Sequence, residues 1–119
     1  MIKFKSLNQS KDFLKILKKK RLNTKYFTIY FDKSFKTTNK FLNISFVMKK
    51  KIGNAVVRNK IKRKLRYAVQ KLVGEGKIVD LSYTYVIFGK NNVYKDKFPF
   101  ILGEVNETFR KIKNMSNSL

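Results

Sequence analysis

Nine of the 18 residues at positions 49–66 are Lys or Arg, and their types and spacing suit the binding of a polyanion. The run is Lys49-Lys50-Lys51-Ile52-Gly53-Asn54-Ala55-Val56-Val57-Arg58-Asn59-Lys60-Ile61-Lys62-Arg63-Lys64-Leu65-Arg66. Arg58, Lys62 and Arg66 are each four residues apart, as are Lys60 and Lys64. On a helix such like charges stack, which costs roughly 0.2 to 0.5 kcal/mol per pair. Stability alone would not select that pattern. A phosphate backbone turns the repulsion into favourable contacts and releases counterions, and Arg and Asn add directed hydrogen bonds that a plain lysine coat does not. Asn59, uncharged among cations, has two readings at this point: a ligand-facing hydrogen-bonding group, or an ordinary surface residue bonded to nearby backbone.

Composition narrows the chemistry further. The chain of 119 residues carries 29 Lys and Arg against 7 Asp and Glu, a formal net charge of +22, which calls for a strongly anionic partner. Between positions 33 and 74 there are 13 basic residues and no carboxylate. Lys18-Lys19-Lys20-Arg21 forms a smaller basic cluster, for which a merely solvated surface is an equal alternative. There is no His and no Cys, so thiolate nucleophiles, imidazole bases, Ser-His-Asp triads, disulfides and the usual zinc sites are excluded. The carboxylates Asp12, Asp32, Glu75, Asp80, Asp96, Glu104 and Glu107 are scattered, with no Asp-x-Asp spacing suited to a pair of metal ions. A stand-alone nuclease built on Asp96, Glu104 and Glu107 would lack an obvious base. With 43% hydrophobic residues, 11 Phe and 6 Tyr, the chain has enough apolar surface for one core, and we expect a single domain over 1–119. No apolar run of signal-peptide or membrane-spanning length occurs, which points to a cytoplasmic protein without membrane contact.

The elements that position these residues follow from periodicity. Phe13, Leu14, Ile16 and Leu17 recur at helical spacing, predicting a first helix over 10–22 with Ser10 as N-cap and the Lys18 to Arg21 cluster at its carboxyl end. Over 26–31 the period changes to two: Phe27, Ile29 and Phe31 share a core face, and Tyr26, Thr28 and Tyr30 share the other. That second face is either packed or a platform for nucleobases, and for Tyr30 alone packing is the simpler account. A second strand is expected over 41–48, joined to the first as a hairpin, and a third over 83–88. Between them, Gly53 and Asn54 open the basic helix, whose buried stripe is Val57, Ile61, Leu65, Ala68, Val69 and Leu72. A last helix over 99–115 starts at Pro99 and buries Ile101, Leu102, Val105, Phe109 and Ile112.

The ungapped run Lys50-Lys51-Ile52-Gly53-Asn54-Ala55-Val56-Val57-Arg58-Asn59-Lys60-Ile61-Lys62-Arg63 closely resembles the hallmark of the protein subunit of bacterial ribonuclease P, Lys-Lys-x-Gly-Asn-Ala-Val-x-Arg-Asn-Arg-x-Lys-Arg. Lys60 replaces an Arg, keeping the charge and losing the bidentate fork. The resemblance implies an α+β fold, a two-layer α/β sandwich of order α-β-β-β-α-β-α with a four-stranded sheet and a left-handed βαβ crossover. It also implies an accessory subunit, with hydrolysis carried out by the RNA subunit and magnesium held mainly on that RNA, and with no organic cofactor. Its implied partners are the ribonuclease P RNA and precursor tRNA. Lys51, Arg58, Asn59, Lys60, Lys62, Arg63 and Arg66 then align with positions that meet the catalytic RNA. Phe13 and Tyr30 align with positions that hold the single-stranded 5′ leader, which reverses the packing account of Tyr30. Leu17 stands where relatives often carry a second aromatic, and Phe88-Gly89-Lys90 departs from a strand end that is usually basic before Lys. The general alternative is an RNA-binding or ribosomal protein without a role in cleavage.

Overall fold

The computed structural model describes residues 2–33, 35, 37, 38, 40–76 and 78–117, with side chains up to 115. Its elements are β1 (Lys3–Lys5), α1 (Ser10–Ile16), β2 (Lys20–Asn23), β3 (Phe27–Asp32), β4 (Phe41–Val47), α2 (Ala55–Glu75), β5 (Thr84–Gly89), α3 (Asn92–Lys95) and α4 (Phe98–Asn117), with a 3-10 turn at Lys50–Ile52 before α2. The expected order is present, with β1 added ahead of α1 and the one-turn α3 inserted before α4. The mixed sheet has five strands in the order β1-β4-β5-β3-β2, one more than the four that the resemblance implied.

Three expectations are corrected by the structure. The strands β3 and β4 do not form a hairpin, because β5 lies between them, antiparallel to β3 and parallel to β4. The hairpin is instead β2 with β3, in register Lys20 with Phe31 and Asn23 with Thr28, closed by Thr24, whose backbone N–H and Oγ1 both donate to the Phe27 carbonyl. The first helix also ends early, at Ile16 rather than near Leu22. Its last carbonyls are closed by i→i−3 bonds, Lys18 N–H to Lys15 O and Lys19 N–H to Ile16 O. Lys20 and Arg21 then enter β2, where β3 supplies the backbone partners that a helix would have supplied internally. Ser10 lies inside the helix, and Gln9 at the N-cap makes no side-chain capping bond.

Alternation in the strands gives the sheet two distinct faces. Phe27, Ile29, Phe31, Leu42, Ile44, Tyr85 and Ile87 join Ile61, Leu65, Ala68 and Val69 of α2 and Ile101, Val105, Phe109 and Ile112 of α4 in the main core. The Tyr85 and Phe109 rings meet edge to face at 5.0 Å. Gly89 lets α2 approach the end of β5: a Cβ there would lie 2.8 Å from Ile61 Cγ2 and 2.7 Å from Met48 Sδ. On the other face lies α1, whose Ile16 is fully buried, as is Val86. The Leu7 N–H donates to Ser45 Oγ at 2.9 Å, tying the segment before α1 to the sheet.

Candidate nucleic-acid interface

At the start of α2 the local sequence sets the geometry. Gly53 takes φ +151°, a conformation that side-chain-bearing residues rarely adopt, and the Asn54 side chain accepts from the Val57 N–H at 3.0 Å as the N-cap. Ile61, Leu65, Ala68, Val69 and Leu72 are buried as expected, and Val57 is half-buried. Burying that stripe forces the rest of the helix outward, so Asn59, Lys60, Lys62, Arg63 and Arg66 are exposed, and Lys51 is exposed on the preceding turn. Among the described residues no carboxylate pairs with Arg58, Lys60, Lys62, Arg63 or Arg66.

The two rows of cations read from the sequence diverge on opposite flanks of the helix. Arg66 places its guanidinium 5.5 Å from the Phe4 ring of β1, so the row Arg58, Lys62 and Arg66 lies toward the β1 edge. Arg58 is half-buried, and its Nε is a buried donor that finds no acceptor among the described residues, a state costing about 1 to 3 kcal/mol until an acceptor arrives. The other row turns toward α3. Lys60 Nζ lies 5.1 Å from the Tyr94 ring centre, and Lys64 Nζ donates to the carbonyls of Val93, Tyr94 and Asp96 at 3.0, 3.4 and 3.2 Å. Lys64 is thus spent on the fold, whereas Lys60 remains exposed.

Across the sheet, Phe13 of α1 and Tyr30 of β3 are brought together by Phe88 of β5. The Phe88 ring centre is 6.1 Å from Phe13 and 5.7 Å from Tyr30, the second pair edge to face. All three are half-buried. Lys49 Nζ lies 5.7 Å from the same Phe88 ring, linking this aromatic cleft to the basic segment that leads into α2. Phe88 and Lys49 are the members missed from sequence. Strand parity placed Phe88 with Thr84 and Val86, opposite Tyr85 and Ile87, and that was the available signal. A hollow of about 240 Å³ beside α1 is bordered by Lys5, Asp12, Asn43 and Thr84. Thr84 Oγ1 is buried there without a partner among the described residues. Leu17 is half-buried.

Away from these surfaces the carboxylates are dispersed. Asp96 accepts from Tyr26 Oη at 2.6 Å and pairs with Lys25 at 3.2 Å. The Tyr26 bond, followed by that of Lys25, holds the Asp96 carboxyl below its ordinary range. The same bond to Asp96, reinforced by burial, pushes the Tyr26 phenol up to about 12. Among the described residues no three His, Cys, Asp or Glu side chains gather as a metal-ligand set. Magnesium favours several hard oxygen ligands in a near-octahedral set, and this donor set does not fit it. Nor is any helix among the described residues long and apolar enough to cross a membrane.

A mixed sheet carrying a basic helix with an exposed cationic face on one side and an aromatic cleft on the other defines a nucleic-acid-binding protein of the α+β class. The ribonuclease P family pattern matches residues 1–113. The ribonuclease P protein component of Mesoplasma florum is 31% identical over 105 residues, covering 87% of this chain and 90% of that protein. That of Carboxydothermus hydrogenoformans is 30% identical over 106 residues, covering 88% of each. In fold the chain is similar to the RNase P protein from Thermotoga maritima, with a TM-score of 0.73 at 23% identity over 90% of this chain and 96% of that one. The Staphylococcus aureus RNase P protein gives 0.67 at 24% identity, covering 91% and 94%. The chain belongs to the ribonuclease P protein family, and so is a protein component of an endoribonuclease whose hydrolysis is the work of RNA.

Proposed function

We propose that the exposed face of α2 holds the RNA subunit of ribonuclease P and that the cleft beneath α1 holds the single-stranded 5′ leader of precursor tRNA. In this reading Lys51, Arg58, Lys60, Lys62, Arg63 and Arg66 meet phosphates, and Asn59 adds hydrogen bonds that fix register. Phe13 and Tyr30, with Phe88 between them, offer ring faces and edges against which unpaired bases stack, while Lys49 draws the strand toward α2. The observation that carries the proposal is a row of cations on α2 that no carboxylate among the described residues pairs with, joined by Arg58 Nε, a buried donor without an acceptor among those residues. A phosphate oxygen satisfies both deficiencies at once.

Magnesium is required by the holoenzyme and sits mainly on RNA in this account, in keeping with the dispersed carboxylates of the chain. The protein contributes by neutralising phosphate repulsion where the two RNAs converge, which lowers the magnesium concentration needed for cleavage. It would act in the cytoplasm. The test is cleavage of a precursor tRNA at low magnesium by the matching RNA alone, the protein alone and the two together. Activity in the mixture alone is expected. Binding without stimulation would replace the proposal with a general RNA-binding role, and cutting by protein alone would make the chain itself the nuclease.

A further inference from the structure

The flank of α2 that faces α3 sets Lys60 beside an exposed aromatic ring, Tyr94 of α3. Tyr94 is 40% exposed, yet the element that carries it is firmly tethered. Val93 beside it is fully buried, and Lys64 Nζ gathers the carbonyls of Val93, Tyr94 and Asp96. Asn92 Nδ2 donates to the Lys25 carbonyl at 3.1 Å. The Lys60 ammonium lies 5.1 Å from the Tyr94 ring centre. One turn beyond Lys64, Tyr67 is 58% exposed and is braced at 5.2 Å by the Phe98 ring of α4. Lys60, Lys64, Tyr67 and Lys71 recur at helical spacing, so cations and aromatic rings share one stripe.

From this juxtaposition we propose that Tyr94 and Lys60 form an RNA contact distinct from the leader cleft, one that takes an unpaired nucleotide of the RNA bound along α2. The base stacks on the Tyr94 ring, and the Lys60 ammonium moves from that ring to the adjoining phosphate. A ring held on a rigid support loses little freedom when a base stacks on it, and ring-face stacking tolerates any base. Lys64 is a positioning residue here: it touches no RNA and fixes Tyr94 through its carbonyl contacts. Tyr67 extends the same stripe. The inference rests on the reading of α2 as the RNA-binding helix and adds to it a single-stranded element of that RNA.

The experiment is filter binding of full-length protein to the matching ribonuclease P RNA over a series of monovalent salt concentrations. Tyr94→Ala is expected to weaken binding about tenfold with the salt slope unchanged, and Tyr94→Phe to bind as the parent does, because stacking needs the ring and not the hydroxyl. Lys60→Gln is expected to lower the salt slope by about one. Lys64→Met should weaken binding in the parent and much less in the Tyr94→Ala background; equal losses in both would overturn the positioning role. Arg63→Ala, on the exposed crest, separates the two levels. If Arg63→Ala weakens binding and Tyr94→Ala does not, the further contact is wrong and the α2 interface stands. If neither does, the interface itself falls. A free protein that sediments as a dimer and becomes monomeric with Tyr94→Ala would assign the stripe to a second copy of the chain and overturn the RNA contact.

Discussion

The exposed face of α2 and the aromatic cleft differ in how they are built. The helix presents Asn59, Lys62, Arg63 and Arg66 from one continuous element, each outward because the opposite stripe is buried. The cleft takes Phe13 from a helix, and Tyr30 and Phe88 from two strands that are distant in sequence and adjacent in the sheet. A side chain on the helix face is therefore replaceable without disturbing its neighbours, whereas the cleft depends on the register of β3 with β5 and on how α1 lies over them.

The largest expected effect sharpens that contrast from below. Ile61→Ala removes a fully buried side chain at the contact of α2 with the sheet and should cost about 2 to 5 kcal/mol in urea unfolding. A loss under about 0.5 kcal/mol would mean that the helix base is not a packed core. Gly89→Ala acts from the other side of the same contact, because its Cβ would crowd Ile61 Cγ2 and Met48 Sδ. It should cost about 1 to 3 kcal/mol and, by shifting the end of β5, disturb Phe88 as well. Leader affinity falling more than RNA-subunit affinity in this variant is the outcome that ties the cleft to strand position.

Substitutions on the two surfaces should separate by substrate. Arg58→Ala is expected to weaken RNA-subunit binding by about 1 to 3 kcal/mol, measured by titration with the RNA. Tyr30→Ala should weaken binding of leader-bearing precursor by about 1 to 3 kcal/mol and leave mature tRNA unaffected; equal losses for both substrates would remove Tyr30 from the leader site. The smallest effect lies outside both surfaces. Tyr26→Phe deletes the bond to Asp96 and should cost about 1 kcal/mol near neutral pH. Because the Tyr26 phenol rises from 10.0 to about 12 on folding, its contribution is complete below pH 10 and is lost as pH climbs through about 12. Asp96 behaves oppositely: its lowered value gives stability above the ordinary carboxylate range, lost as pH falls through the folded value. Melting curves of parent and Tyr26→Phe should therefore converge at high pH.

Much of α2 was legible in the sequence because its determinants are local. Asn54 caps three residues ahead, Gly53 takes a backbone conformation that side-chain-bearing residues rarely adopt, and a stripe at intervals of three and four leaves a single way to face a core. Periodicity also separated Phe27, Ile29 and Phe31 from Tyr30, and the ungapped motif carried the family. Strand partners were not legible in the same way. Alternation says which face a residue takes and nothing about which strand lies beside it, so a hairpin of β3 with β4 looked economical although β5 separates them. Lys20 and Arg21 continued a helical pattern on paper, yet they pair with β3, whose open edge needed hydrogen-bond partners.

By itself the sequence determined a highly basic chain with no His or Cys, a capped helix whose outer face is cationic, and membership of a family that serves an RNA catalyst. Only the tertiary structure decided that Lys64 anchors α3 while Lys60 stays exposed, that Arg58 buries a donor without an acceptor among the described residues, and that Phe88 joins Phe13 to Tyr30. The reason is one of range. Caps and helical stripes are set by residues within about four positions of one another, whereas these contacts join residues tens of positions apart, which only the packing of helices and strands on one sheet brings within reach.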